Sequence, residues 1–289
     1  MLAAEQVAYF QTFGFIALPQ LFSPDEMTEI EREFEEVLEE ERQGQPFGGE
    51  KRQAVMAFAE LRPRLTSLID DDRIYEPIEQ LLGPGFLWWG SDGNLYVGDT
   101  TWHPDAPDPE MGHGRIKIAF YLDPVTRDTG CIRFIPGSHR LPLHADLRPL
   151  RMWRTLQTIA EGRQNEEALK PYIEQGLDPD KPVFGVEQAD LPGYAVESQP
   201  GDVVFFEQHL YHGSWGGRTG RRMFTLNYFA DPTTQEQVDA LKDMHQKSMG
   251  AQQALQYRQR EHAHEEAFLD SDRPRIRRMA DRLRELGIE

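Results

Sequence analysis

The sequence predicts an α+β fold in which short antiparallel strands form a core that helices flank. Apolar residues recur at helical spacing before residue 83, and strand-like runs separated by glycine and aspartate turns follow from residue 86. The strands do not alternate with helices, as a parallel sheet would require. The chain after residue 232 is polar and helical. We therefore predict a single domain over residues 1–289, with a β core at about 86–231, a helical insertion at about 140–200 and a helical C-terminal extension at about 233–289.

The first forty residues predict a helix, a short strand and a second helix. The second helix begins at Ser23, because Ser23 can cap the first turn, Pro24 suits its first position and Glu26 completes a capping box. Its apolar stripe follows at helical spacing and comprises Met27, Ile30, Phe34, Val37 and Leu38. Between residues 24 and 42 the other face carries ten acidic and two basic residues. We interpret it as a solvated outer face rather than a partner-binding surface.

Strand patterns dominate the middle of the chain. A glycine-rich loop at 44–52 precedes a helical pattern that stops at Gly83-Pro84. Beyond it, short runs rich in β-branched and aromatic residues are typical of strands. The predicted strands are 87–89, 94–97, 116–122, 132–135, 202–206 and 223–228.

The insertion at 140–200 separates core strands and contains predicted helices near 151–162 and 166–175. A connection of this length often forms a lid or a pocket wall. We therefore expect it to cover the functional cavity rather than to be an inert connection. In the C-terminal extension, Val238, Leu241 and Met244 recur at helical spacing, which predicts helices packed on the core or on another subunit.

Charge and cysteine content restrict the partners and the compartment. The formal net charge of −18 disfavours binding to nucleic acid and to anionic membranes. Cys131 is the single cysteine, so an intrachain disulfide is excluded and a reducing compartment is favoured. The sequence shows no signal peptide and no apolar run of the ~18 residues that a membrane span needs. We predict a cytoplasmic protein without a membrane or nucleic-acid partner, and we predict no particular oligomeric state.

A metal-binding pattern is the most informative feature of the chain. His103 and Asp105 lie two residues apart, and in extended backbone such residues point the same way. Two imidazoles and one carboxylate cover one face of the octahedron of a divalent iron and leave three positions open. The second histidine must come from a distant segment, where His209 and His212 are the candidates.

Several segments, in this order, resemble those of one known family. They are His103-Pro104-Asp105, the stretch DTGCIRFIPGSH at 128–139, the stretch PGDVVFF at 200–206 and the run His212-Gly213-Ser214 before an arginine-bearing strand. The opening residues 9–24 are similar as well. Over residues 5–232 the chain resembles the phytanoyl-CoA dioxygenase family of Fe(II)- and 2-oxoglutarate-dependent oxygenases.

This resemblance implies a double-stranded β-helix, a flattened jelly-roll barrel of two antiparallel sheets. It also implies Fe(II) and 2-oxoglutarate as cofactors, O2 as co-substrate, and succinate and CO2 as products. The implied activity is oxygenation, most simply hydroxylation, of a small organic molecule. The retained carboxylate of Asp105 favours hydroxylation, because similar halogenases lack that carboxylate and bind a halide in its place.

The resemblance also assigns site residues. Gly213 and Ser214 follow His212 as in the family, so the resemblance favours His212 over His209. It implies that His103, Asp105 and His212 bind the metal and are catalytic. The far carboxylate of 2-oxoglutarate needs a buried arginine, for which Arg221 and Arg222 are the candidates. Strand alternation turns the two to opposite faces, and the family register favours Arg221.

Further candidates for cofactor binding are Tyr121 and Lys117, which share one strand face, and Asn94, which precedes the metal motif. A core role is the alternative for Tyr121 and Asn94. Trp102 and Trp215 flank the proposed ligands and are either pocket walls or core residues.

The remaining histidines and the cysteine receive structural interpretations. We expect His139 to be a hydrogen-bonding group, His113 and His144 to be surface residues, and Cys131 to be a small buried residue without a catalytic role.

Two other functions compete with this interpretation. One is a cupin-type metal enzyme that does not use 2-oxoglutarate, which would not need the buried arginine. The other is a non-catalytic barrel that binds a small molecule, which would not need the complete ligand set.

Overall fold

Two antiparallel sheets face each other in the computed structural model, which describes residues 1–106, 109, 112–158, 167, 170–174, 176–178, 181–255 and 263–289. The larger sheet has, in spatial order, the strands β1 (Phe15–Leu18), β8 (Val203–Glu207), β5 (Arg115–Tyr121), β10 (Arg221–Phe229), β3 (Leu87–Tyr96) and β2 (Gln53–Met56). The smaller sheet has β4 (Thr100–His103), β9 (His212–Ser214), β6 (Ile132–Phe134) and β7 (Tyr194–Val196). This arrangement agrees with the predicted jelly-roll core.

Helices surround the sheets. They are α1 (Ala4–Phe13), α2 (Pro24–Glu41), α3 (Pro63–Ile69), α4 (Asp72–Leu82), α5 (Leu143–Asp146), α6 (Arg148–Thr158), α7 (Lys170–Ile173), α8 (Gln235–Leu255), α9 (Glu266–Leu269) and α10 (Pro274–Leu286). The predicted start of α2 is confirmed, because Ser23 Oγ accepts from the backbone N–H of Glu26 and the Glu26 carboxylate accepts from that of Ser23. Among the described residues, no helix combines the length and the apolar character needed to cross a membrane.

Strand alternation in β10 separates the two sides of the larger sheet. Phe224, Leu226 and Tyr228 are fully buried in the core between this sheet and the helices. Full burial of such side chains contributes roughly 1.5–3 kcal/mol each to stability. Met223 and Thr225 point the other way, into the space between the two sheets. The inward face of β10 is therefore the one available to a functional site.

The acidic face of α2 is only partly the solvated surface that we expected. Glu33 is buried because its Oε2 accepts hydrogen bonds from the backbone N–H groups of Arg64, at 2.9 Å, and of Leu65, at 3.1 Å. Glu35 forms an ion pair with Arg222 of β10 at 3.1 Å. Part of this negative charge therefore attaches α2 to its neighbours.

The larger sheet extends beyond the predicted core in two ways. Two of its strands, β1 and β2, come from before residue 86. In addition, β3 is one continuous strand where two were predicted. Its glycines do not mark turns. Gly90 pairs with Asn227 at the point where the register between β3 and β10 shifts. An added methyl group at Gly93 would lie 2.2 Å from the Phe58 ring. The glycines thus permit a bulge and a close contact.

The described part of the 140–200 insertion supplies β7 to the smaller sheet and packs helical residues on the outer face of that sheet. Leu150 and Leu191 join Trp102 and Trp215 in an apolar cluster, in which the two indole rings are 4.9 Å apart. The two tryptophans are therefore core residues and not pocket walls. None of the described insertion residues lines the metal-site cavity. The predicted helical residues 159–162, 166, 168–169 and 175 lie outside the described part of the chain.

Candidate metal centre and cofactor cavity

Three predicted ligands converge where the smaller sheet meets the interior. His103 ends β4, His212 begins β9, and the two residues are paired across these strands. Asp105 follows β4 directly, and its backbone N–H donates to the carbonyl of Gln208 at 2.9 Å, which fixes the chain beside β9. One ligand atom from each residue lies within 4.8 Å of the others. A single divalent cation fits between such atoms, so these residues could hold the predicted iron.

Backbone carbonyls orient both imidazoles. Nδ1 of His103 lies 2.7 Å from the carbonyl oxygen of Thr101, and Nδ1 of His212 lies 2.9 Å from that of Leu210. Since a carbonyl can only accept, each Nδ1 must carry the proton, which leaves Nε2 as a lone-pair donor. Nε2 is the atom that faces Asp105, at 3.7 Å in His103 and 3.6 Å in His212. A hydrogen bond from the other ring nitrogen, here Nδ1, to a backbone carbonyl is typical of metal-binding histidines.

Asp105 is ionised in this setting. Its side chain is 23% exposed because it faces a cavity. Burial acts to raise the pKa of its carboxyl group, but the Lys117 ammonium, whose Nζ lies 2.6 Å from Oδ2, outweighs burial and holds this pKa well below its ordinary value. The carboxylate is therefore available to a cation at neutral pH.

His209 is not part of this cluster. Its Nδ1 lies 2.7 Å from the Glu207 carboxylate, and the cluster that could hold a metal contains His212 instead. The expected hydrogen-bonding role of His139 agrees with its contact to the Gln11 carbonyl at 3.3 Å.

The prediction that His113 and His144 lie on the surface is wrong, since each is only 3% exposed. They are buried because each ring forms a hydrogen bond with the backbone carbonyl of another segment. The His113 ring bonds to the carbonyl of Ala230, and the His144 ring bonds to that of His209. Cys131 is buried as expected, and burial raises the pKa of its thiol to about 11, so it is unreactive at neutral pH.

A cavity of about 240 Å³ extends from the three ligands to Arg221. We call it the cofactor cavity. Arg221 is 2% exposed, and its Nη2 donates to Ser214 Oγ at 3.1 Å. Within the described residues, its Nε and Nη1 have no hydrogen-bond partner. Buried donors without partners are rare and costly. A carboxylate in the cavity would satisfy this guanidinium, as the distal carboxylate of 2-oxoglutarate requires.

Arg222 faces the opposite side of β10. Its guanidinium bonds to Asp123, with Nη2 at 2.9 Å from Oδ1, and reaches Glu35 on α2. These contacts engage it outside the barrel. The geometry therefore favours Arg221, the residue that the family register favoured.

Two glycines that the sequence reasoning missed form the slot for the Arg221 guanidinium. A methyl group added at Gly217 would lie 1.4 Å from Nη1 of Arg221, and one added at Gly130 would lie 1.8 Å from the same atom. Gly130 also has a φ of +92°, which disfavours other residues. Contacts between loops so distant in sequence have no signal in local spacing.

We expect Gly217→Ala to weaken 2-oxoglutarate binding roughly tenfold or more, which corresponds to about 1.4 kcal/mol. The added methyl group forces the guanidinium out of its slot, while the metal ligands keep their places. Anaerobic calorimetry of the metal-loaded protein measures the dissociation constant. Gly48→Ala is the control, since its added methyl group meets nothing within 4 Å. Unchanged 2-oxoglutarate affinity in the Gly217 variant would contradict the prediction.

The other predicted cofactor residues occupy different positions. Tyr121 and Lys117 line the cofactor cavity. Burial raises the pKa of Tyr121, so its phenol remains protonated and can donate a hydrogen bond. Asn94 does not line the cavity, because its Oδ1 accepts from Arg52 Nε at 2.9 Å and its amide donates to Asp92. Asn94 thus lies behind the wall and positions Arg52 and Asp92, which do line it and were not predicted.

A larger and shallower cleft, of about 830 Å³, lies between α1 and β7. It is lined by Tyr9 and Tyr194 among others and contains none of the three ligands. Size alone therefore does not identify the functional site here, whereas the converging ligands and the buried arginine do.

Comparisons with known proteins agree with this geometry. The family model described as phytanoyl-CoA dioxygenase (PhyH) matches residues 10–224. An ectoine dioxygenase of Bordetella bronchiseptica is 27% identical over 239 residues, which are 74% of this chain and 70% of that protein. An ectoine dioxygenase of Sphingopyxis alaskensis is 26% identical over 245 residues, 75% of this chain and 72% of that protein.

Solved structures share the fold. EctD from S. alaskensis with bound Fe has a TM-score of 0.54 at 21% identity, covering 79% of this chain and 77% of that one. HygX from Streptomyces hygroscopicus, with nickel and 2-oxoglutarate bound, has a TM-score of 0.55 at 18% identity, covering 81% and 88%. The epimerase SnoN, in complex with Fe3+, alpha-ketoglutarate and nogalamycin RO, has a TM-score of 0.53 at 18% identity, covering 78% and 82%. At such identities the likeness concerns the fold.

Proposed function

The chain belongs to the phytanoyl-CoA dioxygenase family and is an Fe(II)- and 2-oxoglutarate-dependent dioxygenase acting on a small substrate, and on this basis we propose that it hydroxylates an organic molecule. One oxygen atom of O2 enters the substrate C–H bond as a hydroxyl group. The other enters succinate as 2-oxoglutarate loses CO2. The observation that carries the proposal is the coexistence, in one cavity, of the three ligands and the buried Arg221 guanidinium.

Each residue has a role in this proposal. His103, Asp105 and His212 hold the iron, which when bound supplies the activation of O2. Arg221, supported by the hydrogen bond to Ser214, binds the distal carboxylate of 2-oxoglutarate. This pairing satisfies donors that are otherwise buried without partners, and it sets the direction in which the co-substrate lies.

The surrounding side chains hold the co-substrate and exclude water. Ile132, Phe206 and Met223 contribute apolar walls to the cofactor cavity. The Tyr121 phenol lines the same cavity and is kept protonated by burial, so it can donate a hydrogen bond to an oxygen of 2-oxoglutarate. A dry cavity protects reactive species from side reactions with water.

Hydroxylation is proposed over other outcomes for two reasons. The carboxylate of Asp105 is present and ionised, so a ligand position that a halide would need is taken. The curated relatives at 26–27% identity are named ectoine dioxygenases.

The test is oxygen-isotope incorporation with a panel of metabolites that includes ectoine. Under 18O2, a substrate should gain one labelled oxygen while one labelled oxygen appears in succinate, with a sample lacking substrate as the control for uncoupled turnover. Product formation that does not require 2-oxoglutarate would favour the cupin-type alternative. Binding of metabolites without any turnover would favour a non-catalytic barrel.

A further inference from the structure

The larger sheet reaches the metal centre through Lys117. This lysine lies within β5, where its neighbours across the strands are Phe206 of β8 and Asn227 of β10. Its Nζ lies 2.6 Å from Oδ2 of Asp105, a residue that directly follows β4 of the smaller sheet. The ion pair therefore spans the interior of the barrel and connects the two sheets at the metal centre.

This ion pair is a fixed part of the site and not a surface contact. Along β5, Ile116 and Ile118 are buried in the core on the other face of the sheet, so Lys117 points into the barrel. Its side chain is only 19% exposed. A lysine is seldom placed in such surroundings unless its charge is paired. Asp105 provides that pairing, and Lys117 is held in return.

The main chain of Asp105 is held separately from its carboxylate. The backbone N–H groups of Asp105 and Ala106 both donate to the carbonyl of Gln208, at 2.9 Å and 3.0 Å. The side chain of Gln208 is fixed in turn, because its Nε2 donates to Asn227 Oδ1 at 3.0 Å. The last torsion of an aspartate has no sharp preference of its own, so contacts must set it. For Asp105, the bond from Lys117 to Oδ2 does so.

The two oxygens of this carboxylate face different imidazoles. Oδ1 lies 3.7 Å from Nε2 of His103, and Oδ2 lies 3.6 Å from Nε2 of His212. A carboxylate in this position can bind a cation through one oxygen or through both. Since Oδ2 already accepts from the Lys117 ammonium, Oδ1 is the oxygen that remains for the cation.

The number of oxygens that Asp105 gives to the metal decides how many positions stay open. Two imidazoles and one carboxylate oxygen leave three of the six positions of an octahedral iron open, as a 2-oxoglutarate-dependent oxygenase requires. A second oxygen from Asp105 would take one of these three. A residue that withholds this oxygen therefore protects the binding of the co-substrates.

We propose, resting on the metal site of the proposed function, that Lys117 is a positioning residue that restricts Asp105 to a single metal-binding oxygen. The ammonium withholds Oδ2 through a charge-assisted hydrogen bond, so Oδ1 alone binds the cation. In this role Lys117 serves cofactor binding through Asp105. The metal-binding motif does not contain this lysine, which comes from the opposite sheet.

The first measurement is made on the unmodified protein under anaerobic conditions. Infrared difference spectra with and without Fe(II) are recorded on protein whose aspartates carry 13C in the side-chain carboxyl group. Among the three ligands only Asp105 has a carboxylate. Its antisymmetric and symmetric stretches lie further apart when one oxygen binds a metal than when both bind. We expect the wide separation, and a narrow separation would overturn the proposal.

Lys117→Met removes the ammonium and keeps an unbranched side chain. We expect the narrow separation in this variant, because Oδ2 is released to the metal. Anaerobic calorimetry should show a roughly tenfold loss of 2-oxoglutarate affinity, since Asp105 then occupies a position that the co-substrate needs. Fe(II) affinity should be retained or increased, because a second oxygen binds and a positive charge leaves the neighbourhood of the cation. Lys117→Arg, which returns a charged donor, should restore the wide separation.

Lys247→Met is the matched control. Its Nζ also lies 2.6 Å from a carboxylate oxygen, that of Asp243, but this pair is exposed on α8. The change should alter neither the infrared bands nor either affinity. Should Lys117→Met not fold, Lys117→Gln is the second variant, and the narrow separation is expected there as well.

A merely structural role for Lys117 predicts a different result. Residues that only support a ligand typically cost roughly 10–100-fold in metal affinity when they are changed. Such a loss in Lys117→Met or Lys117→Gln, with the wide band separation unchanged, would overturn the proposal.

The outcome is separable from that of the proposed function. Binding of Fe(II) and 2-oxoglutarate together with a narrow separation in the unmodified protein would keep the dioxygenase function and reject only the role of Lys117. Absence of any Fe(II) binding would reject the metal site, and with it both proposals.

Discussion

Replacing His212 with alanine should abolish 2-oxoglutarate turnover and weaken iron binding by more than a hundredfold. Changes in residues that merely orient a ligand typically cost roughly 10–100-fold in metal affinity. Loss of a ligand atom itself should cost more, since His212 provides one of only three protein ligands in the cluster. Anaerobic Fe(II) titration measures the affinity, and succinate release measures turnover.

His209→Ala is the matched control for this prediction. His209 lies three residues earlier and is also buried, but its ring contacts Glu207. Its removal should leave iron affinity and turnover near those of the unmodified protein. Turnover retained in His212→Ala and lost in His209→Ala would show that the wrong histidine had been assigned to the metal.

Arg221→Ala should raise the dissociation constant of 2-oxoglutarate roughly thirtyfold or more while iron still binds. Truncating one member of a buried charge pair costs roughly 2–5 kcal/mol, much of it because the partner charge is left unpaired. At ~1.4 kcal/mol per factor of ten, the lower figure already corresponds to about thirtyfold. Anaerobic calorimetry with Fe(II)-loaded protein gives the constant directly.

The adjacent arginine provides the comparison. Arg222→Ala removes contacts to Asp123 and Glu35 on the other face of the sheet, so thermal stability should fall while 2-oxoglutarate affinity stays within about twofold. If the large loss of affinity occurred in Arg222→Ala instead, the register assumed for β10 would be off by one residue.

Features that depend on local periodicity could be predicted from the sequence. The capping box at Ser23, the paired orientation of His103 and Asp105, and the opposite orientations of Arg221 and Arg222 follow from spacings of one to four residues. The resemblance to a family added the identity of the cofactors and the preference for His212 and for Arg221. These parts of the site were therefore accessible without a structure.

Features that depend on contacts between distant segments could not be predicted. We predicted that Asn94 binds the cofactor, but its Oδ1 accepts a hydrogen bond from Arg52, and its side chain lies behind the wall of the cofactor cavity. From the sequence, Trp102 and Trp215 could be pocket walls or core residues, and only their contacts with the insertion place them in the core. The anchoring contact of Glu60 with His264 spans 204 residues in sequence. No spacing rule reports such pairs, since they are fixed only when the layers assemble.

The C-terminal extension is attached to the barrel through the buried Glu60, whose Oε1 lies 2.9 Å from His264 Nδ1 and whose Oε2 accepts from the backbone N–H of Glu265 at 2.7 Å. This attachment has a consequence for how new activities arise on this barrel. The three metal ligands and Arg221 lie within the family match, while part of the wall of a neighbouring cavity comes from the segment after it. A terminal segment can be exchanged only for one that again satisfies the Glu60 carboxylate. We expect chimaeras that keep residues 1–230 and carry the terminal segment of a relative to retain iron and 2-oxoglutarate binding but to differ in the compounds they oxidise. Selectivity would then evolve, and be engineered, on a different stretch of the gene from reactivity.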